Sequence, residues 1–446
     1  MKRFFLKMNP WKSVRNTQSV KKATKLSLVL PLILAGFVLA CGTRWQRDTG
    51  GKTNITLWYS LGGRYSRPML NIVEQFNAMQ DSIFVETSYQ GNYGPAFQKI
   101  LASVVAENPP TLAQVVVQLG PRLVEYGTVA SLEPFFAADS AFTKSAFFPQ
   151  LLKSCTFDGD LYALPMNAST QVLYYNKDLF RAAGLDPEAP PQTWQEVYRY
   201  AQKLAQLNVR LADGREVQVI GLRLDMIEWD VERIIYGWGG RVYKDDFSRV
   251  AYRSDAVLES LRFLRKMVDE GLATARGSNE SDITGIVGMV LRSTGSLEYL
   301  KEHVNYELGV APQPVAKQAA IPLGGGNLFL FADASPRQKR AAWAFLRYLY
   351  SPQNQLLWSS ETGYMTSIRS AYESDAMQQL FAEDARRRVT YEQLPSTISS
   401  PKHGSYKEIN DELRRFFNDV LQQNMSPEAA LLELETRGNK IIQNYY

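Results

Sequence analysis

A strand–helix–strand–helix–strand succession within residues 54–117 limits the possible folds of this chain more than any other feature. NITLWY (54–59) alternates apolar and polar residues between polar flanks, the period-two pattern of a half-buried strand. RPMLNIVEQFNA (67–78) sets Met69, Ile72, Val73 and Phe76 on one helical face. SIFVETSY (82–89) reads as a strand again. Asn92 is placed to cap a helix over 93–106, with Phe97, Ile100, Leu101 and Val104 on its apolar side, and TLAQVVV (111–117) is a third strand. Strands joined through single helices run parallel, with right-handed crossovers, which makes the fold α/β.

The α/β character continues downstream. QVLYY (171–175) reads as a strand, and Thr193-Trp194-Gln195-Glu196 is a capping box opening a helix to about 207. Residues 254–270 form an amphipathic helix. GIVGMVL (285–291) is a buried strand that leads through Ser293-Thr294-Gly295-Ser296 into another helix. YELGVAP and NLFLFAD are further strands, and SPRQKRAAWAFLRYLYS (335–351) has helical spacing. Ser426-Pro427-Glu428 combines an N-cap, a first-turn Pro and an acid at the positive helix end. No internal repeat or low-complexity tract interrupts the pattern.

Charge separates the N-terminus from the rest. All eight charged residues of positions 1–40 are Lys or Arg, which leaves 42 basic residues against 45 acidic ones in the remainder. The basic excess therefore belongs to one segment and gives no footprint for nucleic acid. LSLVLPLILAGFVLA (26–40) is apolar and uncharged, too short to span a bilayer and the right length for the core of an export signal. It ends in Val38-Leu39-Ala40-Cys41, which resembles a bacterial lipobox with Leu39 where a smaller residue is usual. Residues 1–40 are then a lipoprotein signal peptide and 41–52 a polar tether. The body is carried outside the cytoplasmic membrane, anchored by a lipid on Cys41. An uncleaved N-terminal anchor is the alternative.

Chemistry-bearing motifs are scarce. With only Cys41 and Cys155, acylation of Cys41 leaves no disulfide, and Cys155 is expected to pack as a small apolar residue. Two Cys and two His (His303, His403) leave little for zinc or for Cys/His catalysis. No metal or cofactor is expected. Gly324-Gly325-Gly326 lacks the Gly-Lys-Ser/Thr of a phosphate loop and reads as a bend or a close backbone approach. Asp225 and Glu228 read as solvated loop acids rather than an acid/base pair. Nothing resembles G-x-S-x-G or H-E-x-x-H, so no enzyme activity is expected.

Several separated stretches do carry a resemblance. YYNKDLF followed by AAGLD and PP-x-TW, within residues 163–196, is similar to the extracellular solute-binding proteins of bacterial ABC importers. YQGNYGPAFQKILA, GSLEYL, SETGYMTSIRSAY and SPEAALLELETRGNKI resemble the sn-glycerol-3-phosphate-binding branch of that family. The similarity runs from about 54 to 445. It implies a type II periplasmic-binding-protein fold, similar to maltose-binding protein: two α/β lobes joined by hinge segments with a ligand cleft between them. The expected N-terminal lobe is 53–165 plus 315–360, and the expected C-terminal lobe is 166–314 plus 361–446. The implied partners are a small ligand and the transmembrane permease subunits, with the chain acting as a monomer and without nucleic acid. A binding protein of this kind does no covalent chemistry.

The resemblance nominates ligand-binding residues. They are Tyr93 of the GNY motif, Ser169 beside Asn167, Gly325 of the Gly triplet, Tyr364 of the TGY motif, and Trp229, an aromatic that would lie against the ligand; Trp238 is assigned to the core. Ser293 would join free N–H groups at a helix N-terminus to hold an anion without Lys or Arg. Two departures from the family stand out. The family Glu after the third strand is replaced by Gln118 or Val117. The family Arg near the C-terminus has no counterpart in TISSPKHGSYKEIN (397–410), where Lys402 or His403 could substitute, neither making a bidentate fork. The leading expectation is an importer protein for glycerol 3-phosphate or a glycerophosphodiester. A malto-oligosaccharide or other sugar binder, with Trp58, Tyr59, Tyr65, Trp229 and Tyr236 as stacking rings, is the second. A surface hydrolase or adhesin on the same fold is the third.

The anchor is directly testable. Cys41→Ala is expected to abolish fatty-acid labelling and partitioning into detergent, while a fragment starting near Thr53 stays folded and soluble. Unchanged partitioning of the Cys41→Ala protein contradicts the lipid anchor.

Overall fold

The computed structural model describes residues 51–445, apart from 212 and 277–281. The signal-like run, Cys41 and most of the tether lie outside the described residues. No helix among the described residues is long and apolar enough to cross a membrane.

Ten strands among the described residues build two five-stranded sheets. They are β1 (Thr53–Tyr59), β2 (Ile83–Tyr89), β3 (Leu112–Val116), β4 (Ala163–Pro165), β5 (Gln171–Asn176), β6 (Ile220–Arg223), β7 (Ala273–Thr274), β8 (Val287–Ser293), β9 (Leu308–Ala311) and β10 (Gly326–Leu330). The first sheet has the order β2-β1-β3-β10-β4 and the second β7-β6-β8-β5-β9. β1 runs parallel to β2 and β3, as the alternating pattern requires. β10 then enters antiparallel between β3 and β4, more than 200 residues after β3 in sequence. In the second sheet β6 pairs parallel with β7 and β8, and β5 pairs antiparallel with β8 and β9.

Helices cover both sheets through the faces their spacing prescribes. The helix Arg67–Ala78 buries Pro68, Met69, Ile72, Val73 and Phe76. The helix Trp194–Leu204 opens with the complete Thr193/Glu196 capping box, and Asp255–Asp269 buries Val257, Leu261, Leu264 and Met267 at helical spacing. Ser426 caps Pro427–Gln443 by accepting from the Ala429 N–H. Asn92 occupies the N-cap position of Tyr93–Val105, but its side chain makes no capping bond. GIVGMVL begins its strand two residues later than its apolar run and continues to Ser293.

Each lobe has its own apolar core. The first joins Ile55, Leu57, Leu112, Phe329 and Leu330 to Trp343, Phe345 and Trp358 of later helices, and it draws in Ile368 and Ala371, beyond residue 360. The second joins Leu173, Trp194, Leu222 and Met289 to Tyr406, Phe416 and Phe417, with Trp238 inside it. Cys155 is fully buried in the first core, where desolvation pushes its thiol up to about 12. The two last helices therefore return to the second lobe, after Pro336–Leu349 and Pro352–Thr362 have completed the first.

Between β4 and β5, residues 166–170 cross from one lobe to the other, and residues 312–325 cross back. The two crossings pair at Ser169 and Gly324, whose backbones exchange N–H···O bonds of 3.0 and 3.3 Å. Ile321–Pro322 pairs in parallel with Thr397–Ile398, a third segment alongside them. Gln393 ties all three: its Nε2 donates to Thr170 Oγ1 (2.9 Å) and to the Gln171 carbonyl (3.2 Å), and its Oε1 accepts from the Gln313 N–H (2.7 Å). A few hydrogen-bonded strands of this kind are what a hinge between rigid bodies needs.

Phe329 is fully buried on β10, against Gly120, and it lies where a Gly120 Cβ would clash at 2.8 Å. Phe329→Ala is expected to cost about 3–5 kcal/mol through the cavity left in a close-packed sheet. Urea unfolding measures it, and a loss below about 1 kcal/mol contradicts this packing.

Candidate functional site

A cavity of about 470 Å³ lies between the lobes at the crossing segments. Tyr93, Gly94, Val116, Gln118 and Leu119 line it from the first lobe, Ser169 and Gly325 from the crossings, and Tyr364 from the turn after Pro352–Thr362. Ile227, Trp229, Ser293, Lys407 and Arg414 line it from the second lobe. All seven residues nominated from the sequence therefore face one space: Tyr93, Gln118, Ser169, Trp229, Ser293, Gly325 and Tyr364.

Asn167, fully buried on the first crossing, organises one wall. Its Nδ2 donates to the Tyr93 hydroxyl (2.8 Å). Its Oδ1 accepts from Gln114 Nε2 (2.7 Å) and from the Gly326 N–H (2.9 Å). Gln114 in turn accepts from the Ser60 N–H at 2.8 Å. Because the Tyr93 oxygen accepts from Asn167, its own proton is left for the cavity. Burial raises the Tyr93 phenol above its ordinary range, so it stays neutral and a donor. Tyr364 is likewise held neutral by burial, with its ring stacked on Trp358.

Two glycines provide the space the wall needs. Gly325 has φ +93°, and a Cβ there would lie 1.9 Å from the Asn167 carbonyl oxygen. A Cβ on Gly324 would lie 1.6 Å from Trp229 Cζ2, so the indole packs directly on the crossing backbone. The close backbone approach read from the Gly triplet is thus present, with Trp229, on the helix Glu228–Gly237, as the group that approaches.

Two polar atoms at the cavity lack any hydrogen-bond partner among the described residues. Ser169 Oγ is fully buried and unpaired, and so is Nε2 of the buried Gln118. Buried polar atoms are nearly always paired, and leaving one bare costs about 1–3 kcal/mol, so these two are exceptions within the wall. Gln118 lines the cavity from the turn Val117–Leu119 and Val117 does not, which resolves which of the two faces it.

Ser293 differs from the expected helix-end anion site. Its Oγ accepts from the Gly295 N–H (3.2 Å), and the Thr294 N–H donates to the Thr170 carbonyl (3.0 Å). The helix that follows begins only at Leu297 and ends at His303. Those N–H groups are already satisfied, and what Ser293 offers the cavity is its hydroxyl proton.

The cationic residues are not the ones proposed from the sequence. Lys402 donates to the Thr156 carbonyl and lies 5.5 Å over the Phe157 ring, and burial lowers its pKa. His403 stacks on Phe247, bonds Ser405 Oγ at 2.7 Å, and has its pKa lowered by burial. Neither lines the cavity. Lys407 and Arg414 do, seven residues apart on one face of the helix Tyr406–Leu421. Their two-turn spacing was the available signal, lying partly beyond the 397–410 stretch. Asp225 departs from expectation too. It is not a solvated loop acid but pairs with the buried Arg223, which also holds the buried Asp282.

Of the five candidate stacking rings, Trp229 alone lines the cavity. Trp58 and Tyr59 pack on the first core, and Tyr236 on the second. The Tyr65 hydroxyl donates to the Gly295 carbonyl (3.0 Å) across the cleft. Arg64 makes a two-point ion pair with Glu302, and the Gly404 N–H donates to Glu125 Oε1 (2.6 Å).

A hinged pair of α/β lobes closing on an unpaired polar cavity defines a solute-binding protein of type II, the maltose-binding-protein-like architecture. The bacterial extracellular solute-binding protein family matches residues 71–384, and the chain belongs to it. It is 26% identical over 453 residues to the sn-glycerol-3-phosphate-binding periplasmic protein of Escherichia coli K12, covering 93% of this chain and 98% of that one. The corresponding protein of Pectobacterium atrosepticum is 26% identical over 430 residues, 88% of this chain and 92% of its own. Among solved structures, UgpB from Mycobacterium tuberculosis in complex with glycerophosphocholine superposes with TM-score 0.78 at 22% identity, over 89% of this chain and all of that one. The cyclic α-maltosyl-1,6-maltose binding protein of Arthrobacter globiformis gives 0.76 at 23%, over 88% and 100%. The family's members are solute-binding proteins of ABC importers, extracellular or periplasmic in location, and not enzymes.

The steric reading of Gly325 separates from simple backbone preference. Gly127 also has a positive φ (+64°) but open space around its missing Cβ. Gly325→Ala is expected to destabilise more than Gly127→Ala by about 1–3 kcal/mol, the usual cost of overpacking, since the positive-φ strain is common to both and the clash with the Asn167 carbonyl is not. Equal melting temperatures for the two variants contradict it.

Proposed function

We propose that this protein captures a glycerol phosphate ester, glycerol 3-phosphate or a glycerophosphodiester, and hands it to the permease of an ABC importer. The carrying observation is the charge of the cavity wall. Lys407 and Arg414 face it, and no carboxylate is among its lining residues. The unpaired Ser169 Oγ and Gln118 Nε2 add donors suited to phosphate or glycerol oxygens. The glycerol-phosphate-binding relatives support the same ligand class. A neutral sugar is the second reading, favoured by the carbohydrate-binding neighbours of the same fold and by Trp229. A wall with two cations and a single tryptophan suits it less well. We also propose that the chain works as a monomer held to the outer side of the cytoplasmic membrane by a lipid on Cys41.

Binding is tested by calorimetry and thermal shift with glycerol 3-phosphate, glycerophosphocholine and maltose. A phosphate ester at 100 times its Kd is expected to add about 2.7 kcal/mol of stability and to be recovered chemically unchanged. Ser169→Ala should weaken it by roughly ten- to a hundredfold, since a hydrogen bond to a charged group contributes about 1.5–3 kcal/mol. Binding of maltose alone contradicts the phosphate reading, and turnover of the ester contradicts a binding protein.

A further inference from the structure

We propose that Tyr65 and Gly295 form a clasp that couples occupation of the cleft to closure of the lobes. The proposal rests on the cavity between the lobes being the solute site, and it holds for any solute that fills it. Tyr65 belongs to the turn Gly63–Tyr65, which leads into the helix Arg67–Ala78 of the first lobe. Gly295 belongs to the turn Thr294–Ser296, which follows β8 of the second sheet. The Tyr65 hydroxyl donates to the Gly295 carbonyl at 3.0 Å and so joins the two lobes. Tyr364, packed against the first core, puts its ring 5.7 Å from that of Tyr65. A Cβ on Gly295 would lie 2.8 Å from Tyr364 Cε1 and Cζ and 3.2 Å from its hydroxyl, the three nearest atoms. The Tyr364 ring also stacks on the buried Trp358, which resists its turning away.

Gly295 is not one of the glycines with positive φ, so its turn would accept any residue. The missing side chain serves the contact with Tyr364 instead. Neither Tyr65 nor Gly295 lines the cavity, but each touches a group that does. Tyr364 lines it from the first lobe. Ser293 lines it from the second, and its Oγ accepts from the Gly295 N–H at 3.2 Å. A solute that engages Ser293 and Tyr364 therefore draws together the two elements that the clasp joins, and binding and closure favour one another. Tyr65 and Gly295 act through these neighbours and are positioning residues.

Two alanine substitutions in the full chain separate a clasp from simple packing. A Cβ on Gly295 meets a ring carried by the other lobe, and the lobes relieve it by opening. A Cβ on Gly288, in β8, would lie 2.7 Å from Leu204 Cδ1 inside the second core, where opening gives no relief. Without solute, Gly288→Ala is expected to lower the melting temperature clearly and Gly295→Ala to leave it near the wild-type value. Crystals of unliganded Gly295→Ala should show the lobes apart and the Tyr65 hydroxyl released from residue 295. These two results decide without any solute. With glycerol 3-phosphate, glycerophosphocholine and maltose as probes, calorimetry should show each one that the wild type binds weakened by a common factor. That factor is roughly ten- to a hundredfold in Gly295→Ala, the scale of one overpacked contact. It is roughly two- to tenfold in Tyr65→Phe, the scale of one neutral hydrogen bond. The clasp is overturned if Gly295→Ala melts as low as Gly288→Ala, if its crystals show closed lobes with the Tyr364 ring moved aside, or if it binds as tightly as the wild type. Binding of maltose alone, weakened by these factors, overturns the phosphate reading and supports the clasp.

Discussion

The backbone pairing of Ser169 with Gly324, and Asn167 beside it, decides how the two lobes meet and what faces the space between them. The pairing joins the two crossing segments into one ribbon. Asn167 then couples that ribbon to the first sheet through Gln114 and to the helix Tyr93–Val105 through the Tyr93 hydroxyl. Gly325 can lie against the Asn167 carbonyl only because it has no Cβ, and Gly324 gives Trp229 its seat for the same reason. With this ribbon fixed, the Ser169 hydroxyl is left without a hydrogen-bond partner among the described residues, on a residue that lines the cavity. The energetic cost of that bare hydroxyl is offset elsewhere, by the two separate apolar cores.

Such a site needs no nucleophile or base. Its lining includes neutral donors and two cationic side chains, and burial keeps the two tyrosines protonated. What the site can do is favour the closed form when a guest satisfies it. The ion pair of Arg64 with Glu302 and the bond from Gly404 to Glu125 bridge the lobes. Half-exposed contacts of that sort contribute little each, which leaves the solute to shift the balance.

Much of this was legible from residues alone. The period-two runs and helical faces gave β1 to β3 with their intervening helices, because those elements are local and half-buried. The seven residues nominated mainly through the family resemblance line one cavity. What escaped reading was non-local. β10 inserts antiparallel beside β3, a pairing that sequence periodicity cannot carry across some 200 residues. Lys407 and Arg414 look like ordinary charges on an amphipathic helix, and only the return of that helix to the second lobe turns their face to the cleft. Ser293 was read as part of a helix end, but a short turn intervenes and consumes the N–H groups. Asp225 was read as solvated, and Arg223, two residues away, takes it as a partner.

The most direct measurement is a crystal structure with a glycerophosphodiester bound. The phosphate is expected between the lobes, within about 3.2 Å of Ser169 Oγ and of Arg414 or Lys407 nitrogen, with the Tyr93 hydroxyl still accepting from Asn167. A ligand seated outside this cavity, or a phosphate held by Lys402 with Ser169 Oγ still unpaired, contradicts it.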